Sequence, residues 1–252
     1  MRPLAHIRIL APLASLYALF IVAAGYSAMA AASPSQHAVV IGFVGGFVRH
    51  DDLRHQEVQL ARRLRSTYKD AVDVEIFENR HRRKAHRAIS HFLDRDHDGF
   101  LSDEEKRSAR IVLFGHSWGA SAAVALARDL QREGIPILLT IQVDSIAKIG
   151  QNDAVIPANV AQAVNFYQTH GLFHGRAKIT AADSSRTQIL GDVQLEYRKE
   201  PAQCRNYPWY DRLLFKDHTQ IECDPRLWAQ VEELIRRKLP APAGSVVAEY
   251  PQ

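Results

Sequence analysis

The run Ile111-Val112-Leu113-Phe114-Gly115-His116-Ser117-Trp118-Gly119, continued by Ala120-Ser121-Ala122-Ala123, decides the fold. Four consecutive apolar residues closed by a glycine read as a strand buried on both faces, as the strands of a parallel sheet are. The small residues after Gly119 open a helix that stops at Gly134. Between the two, Gly115 to Gly119 fits G-x-S-x-G in the strand–turn–helix setting that this pattern demands. The glycines are needed because a serine on so cramped a turn leaves no room for flanking side chains. Such a turn lifts the Ser117 hydroxyl above the sheet edge and aims the backbone N–H of Trp118 at a developing oxyanion. Ser117 is the candidate nucleophile.

Working outward, the chain alternates strands and helices. Ala38 to Phe43 is a short apolar run ending in glycines, a second buried strand. Asp51 or Asp52 can cap a helix running through Tyr68, with Leu60, Ala61, Leu64 and Tyr68 on one face. Val72, Val74 and Ile76 alternate with acidic residues as a strand does, and a basic helix follows to about Leu93. Beyond Gly134, Pro136 starts an apolar strand through Val143. The spacing then predicts a helix from Pro157 to about Gln168, a strand from Arg176 to Ala181 and a closing helix from Trp228 to Lys238. Repeated strand–helix–strand units imply one domain, residues 33–252, built on a parallel sheet covered on both faces.

Composition sets bounds on the partners. The 252 residues are 46% hydrophobic, enough to bury one sizeable core. The formal charge of +4 sets 32 basic against 28 acidic residues, and the only dense basic run is Arg80 to Lys84. No aromatic residue interleaves with it, so it reads as a solvated helix face and no nucleic-acid partner is expected. Residues 1–32 read as a signal peptide. Arg2 and Arg8 precede a charge-free apolar stretch from Ile9 to Ala24, and Ala28-Met29-Ala30 or Ala30-Ala31-Ala32 offers a cleavage site. A secreted or periplasmic protein is expected, with no stable membrane span after cleavage; the alternative is an uncleaved N-terminal anchor. Losing Arg2 and Arg8 leaves a net charge of about +2. In an oxidising compartment the two cysteines, Cys204 and Cys223, are expected to be bridged.

A second motif stands before the central strand. Asp94-Arg95-Asp96-His97-Asp98-Gly99-Phe100-Leu101-Ser102-Asp103-Glu104-Glu105 matches the EF-hand loop. Asp94, Asp96 and Asp98 are the carboxylate ligands, Gly99 the sharp turn and Phe100 a carbonyl ligand. Ser102 suits the water-linked position, and Glu105 the bidentate one. A structural Ca2+ is expected, with no organic cofactor. The alternative is an acidic surface loop.

A serine hydroxyl attacks only when a histidine takes its proton and a carboxylate orients that histidine. Asp144 and Asp183 each end a predicted strand after Ser117, and His170, His174 and His218 follow Asp144 in the chain. Four segments, Val40 to Gly46, Gly115 to Gly119, Val143-Asp144-Ser145 and His218-Thr219, resemble the α/β-hydrolase superfamily, most of all its lipase-like and thioesterase-like members. Two features depart from the family. Ile41-Gly42 stands where members usually carry His-Gly, and there is no room between Pro34 and Ala38 for the usual first two strands. The resemblance implies a three-layer α/β sandwich with a mostly parallel, shortened sheet. It also implies His218, on a loop before the last helix, as base, and Asp144 rather than Asp183 as acid. The second oxyanion donor it implies is Phe43, with Val44 as the near miss.

The implied chemistry is hydrolysis of a carboxylic ester, or a thioester, through an acyl-enzyme on Ser117, Asp144 and His218. The substrate is a small or lipid-like acyl ester. The alternatives are an acyltransferase using the same three residues and a catalytically silent binding protein on the same fold. Tyr197, Tyr207, Trp209, Tyr210 and Phe215, in a long irregular segment, are expected to line an acyl pocket or to pack that segment onto the core.

Overall fold

The apolar run near residue 40 forms strand β1 (Ala38–Val44), and the alternating run after it forms β2 (Val72–Glu78). Between them lie helix α1 (Gln56–Tyr68) and a single 3-10 turn, Lys69–Ala71. Then follow α2 (Arg82–Leu93), the short α3 (Asp103–Arg107), β3 (Ile111–His116), α4 (Trp118–Arg132) and β4 (Ile137–Val143). The C-terminal half carries β5 (Val155–Ile156), β6 (Val160–Tyr167), β7 (Thr180–Ala181) and β8 (Gln188–Gln194), and ends in α5 (Trp209–Leu214), α6 (Lys216–Cys223) and α7 (Pro225–Arg236). This computed structural model describes residues 37–242, so the predicted signal peptide, residues 1–32, lies outside the described residues. Among the described residues no helix is long and apolar enough to cross a membrane.

Six strands form the central sheet in the order β2-β1-β3-β4-β6-β8. Every neighbouring pair is parallel. Because side chains alternate along a strand, each face of the sheet builds its own core. Val40, Val74, Val112 and Ile141 pack with Leu60, Leu64, Trp228 and Val231 of α1 and α7. On the opposite face Val39, Ile41, Ile111 and Leu113 pack with Ala85, Ile89, Ala123 and Leu126 of α2 and α4. The result is a three-layer α/β sandwich, consistent with an α/β-hydrolase-like fold. β5 and β7 pair separately as a small two-stranded sheet.

Several local expectations are corrected. The segment predicted as a helix from Pro157 to Gln168 contains strand β6, seated between β4 and β8. Val160, Ala163 and Val164 have helical spacing, but a strand buried on both faces shows no period of its own, so a short apolar run is ambiguous. The strand predicted from Arg176 shrinks to Thr180–Ala181, and the sheet edge is formed instead by β8, whose residues are mostly half-buried or exposed. The first long helix starts at Gln56 after His55 rather than at a cap on Asp51 or Asp52; the Asp52 carboxylate is held by the Arg54 side chain (2.9 Å) in the turn before it. His218, expected on a loop, lies in the first turn of α6.

Candidate active site

Ser117 caps the junction of β3 and α4 with φ 56° and ψ −126°, a left-handed backbone that a non-glycine residue adopts only under constraint. Two close approaches impose it. A Cβ at Gly115 would sit 2.5 Å from the carbonyl carbon of Gly119, and one at Gly119 would sit 2.2 Å from the carbonyl oxygen of Phe43. The Ser117 N–H donates to the Val143 carbonyl (2.9 Å), tying the turn to the end of β4. Trp118 begins α4, so its N–H belongs to the unpaired first turn beside Ser117.

The next residue after β4 is Asp144, fully buried and also at positive φ (45°). Its Oδ1 accepts from the N–H groups of Gly175 (2.6 Å) and Gln168 (3.3 Å), and its Oδ2 from the Gln168 side chain (3.0 Å). The ring of His218 completes the set: Nδ1 lies 2.6 Å from Asp144 Oδ2. Burial pushes the Asp144 carboxyl up, but the hydrogen bonds from His218 and Gln168 outweigh it and hold the group below its ordinary range. With Nδ1 donating to Asp144, the other ring nitrogen of His218 is left to accept a proton.

Ser117, Trp118 and His218 border one cavity of about 660 Å³, within the range of small-molecule sites. Its other walls are largely apolar and include Phe47, Val48, Ile146, Phe173, Tyr210 and Phe215. Of the aromatics expected to line a pocket, Tyr210 and Phe215 do so. Tyr197 and Tyr207 are buried, and Trp209 is exposed on the surface away from the lining. His170 pairs with Glu196 and His174 lies against the Gly175 carbonyl; neither borders the cavity. Asp183 is half-buried, does not border the cavity, and accepts from the Ser185 N–H and hydroxyl, as a turn-capping residue does.

Phe43 does not border the cavity, although its carbonyl packs against Gly119 of the elbow. It lies inside β1, registered against Phe77 and Gly115, with its side chain buried in the core. The backbone that meets Ser117 is two residues on, where a Cβ at Gly45 would lie 3.0 Å from Ser117 Cβ. The turn Gly45 to Val48 closes there through the Val48 N–H and the Gly45 carbonyl (3.2 Å).

A group of residues that the sequence pattern did not single out lies beside the cavity. His55, Glu57, His116 and Glu222 are all buried. His55 Nδ1 contacts Glu222 Oε1, and His116 Nδ1 lies 3.8 Å from Glu57 and 3.7 Å from Glu222. Burial, then the Glu222 charge, carries Glu57 up to about 8, and burial drives His116 down to about 4. Glu57 shares the helix face of Leu60, Ala61 and Leu64, and that spacing was the one available signal of its burial.

In the acidic loop, Asp94, Asp96 and Asp98 place carboxylate oxygens within 4.8 Å of one another, around the left-handed Gly99 (φ 87°). Asp94 Oδ1 is buried with no hydrogen-bond partner. The Glu105 carboxylate instead accepts from the N–H groups of Arg95 (2.7 Å) and Ser102 (2.9 Å), forming a capping box at the start of α3. The Phe100 side chain is exposed.

No protein-family model and no curated protein matches the chain. A solved structure similar to it is that of RedJ with a PEG molecule bound in the active site, at 12% sequence identity and a TM-score of 0.35. That match covers 74% of this chain and 95% of the other. A likeness of that size carries nothing about chemistry.

Proposed function

We propose that the protein is a serine hydrolase of the α/β-hydrolase type that cleaves a carboxylic ester through an acyl-enzyme. One observation carries the reading: His218 is hydrogen-bonded to a fully buried carboxylate, Asp144, at 2.6 Å, and borders the same cavity as Ser117 on its strained turn. In this reaction the Ser117 hydroxyl attacks the acyl carbonyl while His218 takes its proton, and Asp144 stabilises the imidazolium. The tetrahedral oxyanion is held by the Trp118 N–H and by backbone N–H groups of the Gly45 to Phe47 turn, which replaces Phe43 in that role. His218 returns the proton to the leaving alcohol, and water then repeats the sequence to release the acid. The apolar walls of the cavity suit an acyl chain.

The same proposal extends to the rest of the chain. A structural Ca2+ at Asp94, Asp96 and Asp98 fits the orphaned oxygen of Asp94, with the Phe100 carbonyl and Glu105 completing the set once Glu105 leaves its backbone partners. Residues 1–32 act as a signal peptide before a single domain, 33–252, and the Cys204–Cys223 disulfide supports export to an oxidising compartment.

The test uses a fluorophosphonate probe and a panel of esters. Wild type should be labelled at Ser117 and turn over at least one ester. Ser117→Ala should fold, resist the probe and lose on the order of 10⁶-fold in turnover. A folded Ser117→Ala protein that keeps esterase activity excludes the assignment.

A further inference from the structure

Two carboxylates and two imidazoles meet under the cavity, drawn from three separate elements. His55 precedes α1 and Glu57 lies in its first turn, His116 ends β3, and Glu222 lies in the last turn of α6. No lysine or arginine among the described residues is within ion-pair distance of Glu57 or Glu222. Neither oxygen of the Glu57 carboxylate makes a hydrogen bond of ordinary geometry, although the residue is fully buried; the backbone N–H groups of Gly45 and of Glu57 itself face it. Buried carboxylates are ordinarily paired or bound to a metal, since an unpaired one is far costlier than a lost hydrogen bond.

The spacing suits one small cation. His55, Glu57 and Glu222 offer donor atoms all within 4.8 Å of one another. His116 Nδ1 adds a fourth, 3.8 Å from Glu57 Oε1 and 3.7 Å from Glu222 Oε2. A tetrahedral ion with bonds of about 2.0–2.2 Å holds its ligand atoms roughly 3.4 Å apart, so the two His116 separations need only a small contraction, and the others, bounded by 4.8 Å, at most about 1.4 Å. His55 and Glu222, now in direct contact, would part to admit the ion. Two carboxylates and two neutral imidazoles balance a dication to zero charge. The other nitrogen of His55 faces Asp52 at 3.8 Å, the place of the outer carboxylate that commonly orients a ligating histidine. His55, His116 and Glu222 all border the cavity, which gives the ion a route in.

We propose that His55, Glu57, His116 and Glu222 form a structural site for a divalent cation of the Zn2+ class, separate from the acidic loop. Imidazole nitrogen with carboxylate oxygen in a four-donor set favours Zn2+ over Ca2+ or Mg2+, which take oxygen and more ligands. The ion ties α1, β3 and α6 together at one point. Through His116, whose ring lies against that of His218, it fixes the position of His218 without touching substrate. The site does not rest on the hydrolase reading.

The experiment strips the purified full-length chain with chelator and then dialyses it into saturating Ca2+, so that the acidic loop is not the variable. Zn2+ alone is added, and bound zinc and the melting temperature are measured. One Zn2+ per chain and a raised melting temperature are expected. Ser117→Ala and Asp94→Ala should behave as wild type, and Glu57→Gln should bind at least tenfold more weakly. Co2+ in the wild-type chain should give the intense visible bands of a tetrahedral site, a readout that needs no variant to fold. Zinc binding equal in wild type and Glu57→Gln, or only the weak bands of octahedral Co2+, overturns the site. A Glu57→Gln protein as stable as wild type, with no response of either to Zn2+, overturns it too, because Glu57 is then held as a neutral acid.

Discussion

The imidazole rings of His116 and His218 lie against one another, their centroids 4.5 Å apart and their planes 31° from parallel. His116 is part of the elbow pentapeptide, so the turn that strains Ser117 also supplies the surface on which the neighbouring histidine rests. A charged His116 would oppose protonation of His218 across that stack. Burial prevents this by driving His116 down to about 4, so that it stays neutral, as the role proposed for His218 requires.

Asp144→Asn should reduce ester turnover by up to ~10⁴-fold, because an amide cannot hold the histidine tautomer that leaves a nitrogen free for the serine proton. Asp183→Asn should leave turnover near wild type, since Asp183 lies away from the cavity and its side chain engages only its own turn. Steady-state kinetics on both variants decide between the two strand ends. A dead Asp183 variant beside an active Asp144 variant would reverse the assignment.

The acid side of the stability profile should bear the mark of Asp144. Its carboxyl is held below its ordinary value in the folded chain, so its stabilisation is complete above that ordinary value, about 4, and is lost as pH falls through the lowered folded value. The gap in melting temperature between wild type and Asp144→Asn should be flat from about pH 5 to 8 and close at lower pH. Thermal melts across that range check it; a gap that persists unchanged to the acid limit counts against the hydrogen-bonded carboxylate.

The Cys204–Cys223 disulfide closes a loop spanning 19 positions, and Cys223 ends the helix that carries His218. By chain entropy its removal should cost ~3 kcal/mol of stability. Turnover should fall as well, because a base displaced by ~1 Å loses about a hundredfold in rate. Denaturation and kinetics of the Cys204→Ser/Cys223→Ser double variant test both effects. Stability lost with full activity kept would show that α6 holds its place without the bridge.

Calcium should raise the melting temperature without entering the chemical step, since no residue of the acidic loop borders the cavity that holds Ser117. A hundredfold excess over the dissociation constant stabilises by about 2.7 kcal/mol. Asp94→Ala and Glu105→Gln should melt alike with calcium or chelator, while wild type should not. A wild-type melting point indifferent to calcium returns the loop to a solvated acidic turn.

Sequence periodicity marked the elbow, the strands flanking it and the long helix after it, because each is a local pattern. An apolar run, a pair of glycines and a row of small residues carry their own geometry. The same kind of pattern failed at residues 157–168, where Val160, Ala163 and Val164 satisfy helical spacing but pair as a strand. The pairing partners of β6, not its own residues, supply the backbone hydrogen bonds that choose between the two forms.

What the chain alone determined was therefore a parallel α/β sheet with a serine raised at the end of one strand. Which groups meet that serine was decided only in three dimensions. His218 reaches Asp144 across 74 positions, and His55 reaches Glu222 across 167. Phe43 falls short of the cavity because β1 continues past it to Val44, leaving the Gly45 turn beside Ser117. Glu57 reads as a surface charge in sequence and is fully buried in the fold, with His116 of β3 and Glu222 of α6 beside it. Such meetings depend on how helices dock on the two faces of the sheet, and no local spacing encodes a contact that tertiary packing alone creates.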